Sequence, residues 1–378
     1  MGKKTAAFIH STELEKYGYP PEHPFNTARA KKVRDIVNSM GLLSDSDRCE
    51  VPPEPAARMS LRKFHSARYL QALKLAGDGH ADPAALRMGI GTPDCPVFKG
   101  LYDYSVLAAG GTLVAAQMIL SGAAEAAFNP SGGFHHARPE RAAGFCYIND
   151  VALACLLFAE AGKRVLYLDV DVHHGDGVAY AFYDRADVMT ISMHENPRAL
   201  FPGTGFEDEI GTGEGKGYCV NIPLPVGTFD EAYLVAYHGV VAPLIKAYNP
   251  DVFVFELGGD ALAGDPLAHL CLTNNTYAEI IKHLQGFNRP ILMTGGGGYN
   301  IENTVRAWAL AWSLLAGGET AADTNIGAGG IMLETTEWQG GLRDRTLVVT
   351  SQQQNLVLPA VKEVTEKIKS TVFPIHNL

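Results

Sequence analysis

Short apolar runs of strand length recur along the chain, at Thr5 to Ile9, Val165 to Val170, Val188 to Met193, Tyr218 to Ile222, Val252 to Leu257 and Ile291 to Met293. Between them lie longer stretches whose apolar residues return with helical spacing: Tyr104 to Leu120, Asp150 to Glu160, Asp230 to Tyr248, Tyr277 to Leu284 and Ile301 to Leu315. Strands apolar on both faces, alternating with helices, predict an α/β fold: a central, mostly parallel sheet in a three-layer α/β/α sandwich. No repeat, low-complexity tract or Gly/Ser linker interrupts the pattern, so residues 1–378 read as one domain. From Glu319 onward the periodicity is too weak to assign elements.

In sheets of this kind ligands bind beyond the carboxyl ends of the strands. The segments expected there are unusually polar. Asp171-Val172-His173-His174-Gly175-Asp176-Gly177 follows one apolar run, Gly258-Gly259-Asp260 another, and Thr294, Gly295 to Gly298 and Tyr299 a third. The run Ala123 to Phe128 leads into Gly132-Gly133-Phe134-His135-His136.

Composition narrows the options. The 378 residues carry a net charge of −10, which argues against a face devoted to nucleic acid. Residues Met1 to His10 lack the long apolar run of a signal peptide, and no stretch is read as a membrane span, so a cytoplasmic protein is expected. Six cysteines stand without the short paired spacings of a zinc ribbon or a disulfide framework and are expected to be reduced, packed thiols.

Asp171 and His173 alternate along extended backbone, so both point to one side, and a third residue such as Asp260 would complete a donor set with an open position. Two carboxylates and one imidazole suit Zn²⁺ or Fe²⁺. The bland alternative is that they cap the following turn. Paired histidines are often merely packed, but Asp169 and Asp176 lie close enough in sequence to the metal loop to orient His135 and His136 and keep them basic. Gly295 to Gly298 lacks the Lys-Ser/Thr ending of a phosphate loop; a phenol on a glycine loop fits an oxyanion donor better, the alternative being a buried Tyr299 at a helix start.

Five segments carry a family resemblance: Gly132 to Ala137 (GGFHHA), Gly144 to Asp150 (GFCYIND), Asp169 to Gly177 (DVDVHHGDG), Phe201 to Gly205 (FPGTG) and Gly295 to Asn300 (GGGGYN). In these the chain resembles the zinc-dependent histone deacetylases, class I-like, over about residues 5–317. The resemblance implies the arginase/deacetylase fold and hydrolysis of N6-acetyl-lysine. It implies zinc on Asp171, His173 and Asp260, His136 as general base and then acid, His135 as electrostatic partner, and Tyr299 polarising the acetyl carbonyl. Asp176 would pair with His136 and Asp169 with His135. Asp169, Asp171, Ser192 and the carbonyls of His173 and Met193 would surround a structural potassium ion. Gly144, Phe145, Phe201 and Leu267 resemble the walls of the acyl-lysine tunnel, Asp94 its rim carboxylate, and Arg29 the arginine of an internal channel.

Pro266 and Glu302 replace the basic residues that an inositol phosphate and corepressor partnership requires. His23 to Asn26 and Asp265 to Leu270 instead resemble the bacterial acetoin-utilisation deacetylases, whose implied substrate is an acetylated enzyme such as an acyl-CoA synthetase. Rivals are an acetylpolyamine amidohydrolase, for which Leu267 stands where a glutamate is expected; a dimanganese ureohydrolase, which needs more bridging carboxylates; and a non-catalytic acyl-lysine binding protein, which needs neither His136 nor Tyr299. Glu256 occupies a strand position where relatives usually carry a neutral residue, and burial there would raise its pKa.

Overall fold

A computed structural model describes residues 5–80, 82–317 and 341–378. Eight strands form one sheet: β1 (Ala6–Ile9), β2 (Arg48–Val51), β3 (Ala126–Asn129), β4 (Val165–Asp169), β5 (Val188–Glu195), β6 (Cys219–Leu224), β7 (Val252–Glu256) and β8 (Ile291–Thr294). Their order is β2-β1-β3-β8-β7-β4-β5-β6, and every pairing is parallel. β2 escaped the sequence pattern because its four residues are half-buried and mixed in polarity at a sheet edge.

Alternate side chains divide the core between two faces. Phe8, Phe128, Leu166, Leu168, Phe253, Phe255 and Met293 join the helices Ala28–Ser39, Asn274–Gln285 and Ile301–Leu315 in one cluster. Ala7, Ile9, Ala127, Val165, Tyr167, Val254 and Leu292 join Leu101–Leu120 and Asp150–Glu160 in another. Burial on both faces is what the near-continuous apolar runs require.

The helix Leu101–Leu120 has the length and hydropathy of a membrane span, contrary to the expectation of none. Most of it is buried against the sheet and the helix Asp150–Glu160, the place of a core helix. The segment Asp230 to Tyr248, expected as one helix, is α-helical at Asp230–Ala236 and Ala242–Tyr248 with a π-helical turn, Tyr237–Val241, between. Pro243 lacks the N–H that an uninterrupted α-ladder needs there. The weakly patterned tail contains a 22-residue helix, Ser351–Val372, opened by Thr350 as N-cap. Its buried stripe of Val357, Val361, Thr365, Ile368 and Val372 packs towards β6 and the helix Asp230–Ala236. Polar neighbours and an internal Pro359 dilute that stripe in sequence; residues 318–340 of the tail lie outside the described residues.

At the carboxyl ends of the strands one register row turns polar. Asn221 pairs with Ser192, Ser192 with Asp169, Asp169 with Glu256, Glu256 with Thr294, and Thr294 with Asn129. The functional loops spring from this row.

Candidate functional site

Asp171 and His173 extend from β4, and Asp260 follows β7. His173 Nδ1 lies 3.1 Å from both Asp171 Oδ1 and Asp260 Oδ2, and all three residues are buried. The donors of the three converge within 4.8 Å. Burial and the Asp171 charge push Asp260 up to about 7, and a proton on His173 held between two carboxylates offsets part of their repulsion. A divalent cation fits this set: it would take the place of the proton that His173 shares with the two carboxylates, meeting two carboxylate oxygens and one imidazole nitrogen. The loops close tightly over the donors. A Cβ at Gly297 would stand 1.9 Å from Asp260 Oδ2, and one at Gly258 2.1 Å from Asp171 Oδ2, so glycine is required at both.

His135 and His136 stand beside this set. His136 Nδ1 lies 2.8 Å from Asp176 Oδ1, and His135 Nδ1 lies 2.9 Å from Asp169 Oδ2, the pairing expected from sequence. Their charges differ. Burial opposes a proton on His135, but Glu256 and Asp169 outweigh it and hold that imidazole well above its ordinary range. Burial and the neighbouring His135 charge push His136 down to about 4, leaving it neutral near pH 7. Glu256 is fully buried, with Oε1 3.1 Å from His135 Nδ1, and burial pushes its carboxyl well above the usual range, as its strand position predicted. Tyr167 Oη contacts both Asp169 Oδ2, at 2.5 Å, and Glu256 Oε2, at 3.1 Å.

Phe201 and Phe145 flank the donors. The Phe201 ring lies 5.0 Å from His136 and 6.3 Å from His173, whereas Phe145 meets Tyr299 edge-on at 5.7 Å. Tyr299 is held by its backbone, which donates to Asp265 Oδ2 at 2.7 Å; burial and the nearby Asp260 and Asp171 charges keep its phenol protonated. Gly144, at φ +54°, passes so close to His136 that a Cβ would sit 2.1 Å from its Cδ2. Asp94 Oδ2 accepts from Gly144 N at 2.8 Å, fixing that backbone turn. Leu267 is half-buried, its N–H turned to Asp265. Arg29 is buried and its fork donates to the carbonyls of Gly298, at 2.6 Å, and Gly296, at 3.0 Å, so it props the loop that carries Tyr299. Ser192 and Asp169 are register partners on β5 and β4, with Met193 next along β5.

Sequence reasoning assigned no role to Asp150, although its motif was recognised. Its carboxylate accepts from Phe134 N at 2.8 Å and Gly133 N at 3.0 Å, pinning the turn ahead of His135. Asn149 donates to the carbonyls of His135 and Ala137 at 3.1 and 2.9 Å and caps the helix Asp150–Glu160. Arg138 was also passed over: its Nη2 lies 2.5 Å from Asp176 Oδ2.

Fold and site together set the chain among the hydrolases of the arginase/deacetylase fold. The histone deacetylase domain model matches residues 23–315. Acetoin utilization protein AcuC of Bacillus subtilis is 42% identical over 323 residues, covering 83% of each chain. Histone deacetylase clr6 of Schizosaccharomyces pombe is 38% identical over 322 residues, 84% of this chain and 78% of that one. A crystal structure of an HDAC homolog from Aquifex aeolicus superposes with a TM-score of 0.86 at 32% identity, covering 97% of this chain and all of the other. The chain therefore belongs to the histone deacetylase family and is a deacetylase-type hydrolase.

Proposed function

We propose that the protein hydrolyses N6-acetyl-lysine in proteins to lysine and acetate. The observation that carries this reading is the convergence of the Asp171–His173–Asp260 donors and the neutral His136, with Phe201 edge-on to His136 and Phe145 edge-on to Tyr299. A divalent ion on those donors, zinc as the resemblance implies or iron(II) by the same donor chemistry, would act as Lewis acid towards the acetyl carbonyl and acidify the attacking water.

This chain's side chains do the rest. His136 takes the water proton at Nε2, while Asp176 fixes its Nδ1–H tautomer. Tyr299 donates to the carbonyl oxygen as negative charge builds there. His136 then returns the proton to the departing lysine nitrogen, and His135, held charged, favours the anionic transition state. Phe145 and Phe201 line the unbranched lysine stem and exclude water, with Leu267 and Asp94 at the mouth. Asp169, Asp171, Ser192 and the carbonyls of His173 and Met193 would hold potassium, offsetting carboxylate charge beneath the site.

An acetylated protein is favoured over an acetylpolyamine because Leu267 puts an apolar side chain where a distant ammonium would want a carboxylate. The similarity to the acetoin utilization protein supports an acetylated metabolic enzyme, such as an acyl-CoA synthetase, as substrate. The test is acetate release from an acetyl-lysine peptide and from acetylspermidine, each with and without a chelator. Chelator-sensitive turnover that is much faster on the peptide is expected; faster turnover of the polyamine would replace this reading.

A further inference from the structure

Asp176 uses its two oxygens differently. Oδ1 meets His136 Nδ1 at 2.8 Å, and Oδ2 meets Arg138 Nη2 at 2.5 Å. The carboxylate is almost wholly buried, whereas the Arg138 side chain is 41% exposed, so one charged group reaches from solvent to the back of the proton carrier. Arg138 is itself held. Its guanidinium lies 4.8 Å over the ring of Tyr180, one turn beyond Asp176 on the helix Asp176–Ala181. Tyr180 Oη donates to Glu209 Oε2 at 3.1 Å. The other oxygen, Glu209 Oε1, accepts from Gly205 N at 2.9 Å and Phe206 N at 3.0 Å, in the loop that begins at Phe201.

We infer that Arg138 is a positioning residue for the His136–Asp176 pair, braced by Tyr180 and Glu209 against the loop that carries the Phe201 wall. This rests on the hydrolytic reading above. A carboxylate bound at one oxygen can swing about its side-chain torsion and release the imidazole; bound at both, it has one orientation. The contact to Oδ2 is charge-assisted, which makes it stronger and more directional than a neutral hydrogen bond. It also leaves Oδ1 as the oxygen for His136, so the tautomer with Nε2 unprotonated is the one maintained. Arg138 touches neither the donor triad nor, by its position behind Asp176, the reacting atoms.

The experiment is steady-state turnover by the metal-loaded wild type, Arg138→Ala, Arg138→Lys, Asp176→Asn and the double variant Arg138→Ala/Asp176→Asn. The substrate is whichever acetylated amine the wild type hydrolyses. Arg138→Ala should lose about 10- to 100-fold in kcat with little change in KM, the usual cost of removing such a supporting partner. Arg138→Lys should recover part of the loss, and millimolar guanidinium should restore activity to Arg138→Ala, since the position is open to solvent. In the Asp176→Asn background, Arg138→Ala should cost almost nothing further. An unchanged kcat, a loss confined to KM, or a full loss that persists without Asp176 would each overturn the inference. Should Arg138→Ala fail to fold, Arg138→Lys and Arg138→Gln carry the comparison, with equal kcat in those two and wild type as the refuting result. A wild type inactive on every acetylated amine would overturn the hydrolytic reading, and this one with it; an active wild type indifferent to Arg138 overturns this one alone.

Discussion

The Nε2 atoms of His135 and His136 lie 2.9 Å apart. Two imidazoles at that distance cannot both carry a proton on the facing nitrogens without repulsion, so their surroundings settle which is charged. His135 faces Asp169 and Glu256; His136 faces Asp176 alone, and Arg138 takes a share of that carboxylate. The proton therefore sits on His135, whose Nε2–H donates to the unprotonated Nε2 of His136. His136→Ala, which removes the proposed base, should cost roughly 10²- to 10⁴-fold in kcat, and His135→Ala distinctly less. Single-turnover acetate release at pH 7.5 reads both; equal losses would refute the division of roles.

The donor triad predicts that removing the metal costs stability as well as activity. Two buried carboxylates and an imidazole would lose the proposed cation, and binding at 100 times Kd is worth about 2.7 kcal/mol to the native state. Dialysis against a chelator should abolish turnover and lower the melting temperature, and zinc or iron(II) should restore both. Asp260→Asn should bind metal weakly and show little of that metal-dependent rise in melting temperature.

In the proposed reaction Tyr299 donates to a developing oxyanion. Tyr299→Phe keeps the ring against Phe145 and removes only the hydroxyl, so kcat should fall by roughly 10²- to 10³-fold, about 3 kcal/mol, with the melting temperature unchanged. A loss of stability comparable to the loss of rate would assign the hydroxyl to packing instead.

His65 makes acid stability a separate test. It is buried against Tyr69, and its Nε2 accepts from Asn149 N at 3.0 Å. Burial lowers its pKa from 6.5 to about 4. Between those values the unfolded chain binds a proton that the native one does not. The contribution is thus intact above pH 6.5 and lost as pH falls towards 4, on the order of 3 kcal/mol in all. His65→Gln keeps an acceptor without the titration. Urea midpoints at pH 7 and pH 4 should show the wild type losing more stability than this variant; parallel losses would rule out His65.

Gly144 predicts a purely steric defect. Its positive φ and the 2.1 Å approach that a Cβ would make to His136 mean that Gly144→Ala must displace His136 or the Gly144 segment itself. Turnover should drop at least ~10-fold with full metal content retained.

Much of the site was legible because its residues are chemically conspicuous: Asp171, His173 and Asp260 follow apolar runs, and their types alone suggest donors. The paired imidazoles needed Asp169 and Asp176 to be read, and these lie in the same polar segment. What escaped had a partner far away in sequence. Arg138 gains meaning only when the helix Asp176–Ala181 presents Asp176 and Tyr180 to it. Asp150 looked like a helix start, which it is, and nothing local shows that it also binds Gly133 and Phe134. β2 was hidden by its exposure, and the tail helix by a stripe only one residue wide.

The place of β8 has a consequence for how the centre comes into being. It is the last strand among the described residues, yet it lies between β3 and β7. A chain emerging during synthesis has already delivered both histidines after β3 and all three donors after β4 and β7 before Ile291–Thr294 appears. Until then β3 and β7 have no strand between them, and each presents an unpaired edge. Insertion of four residues joins the two pieces, brings Tyr299 with it and closes both edges in one event. A fragment ending before Ile291 would hold the three donors and both histidines but lack Tyr299, and its open edges would expose it to aggregation.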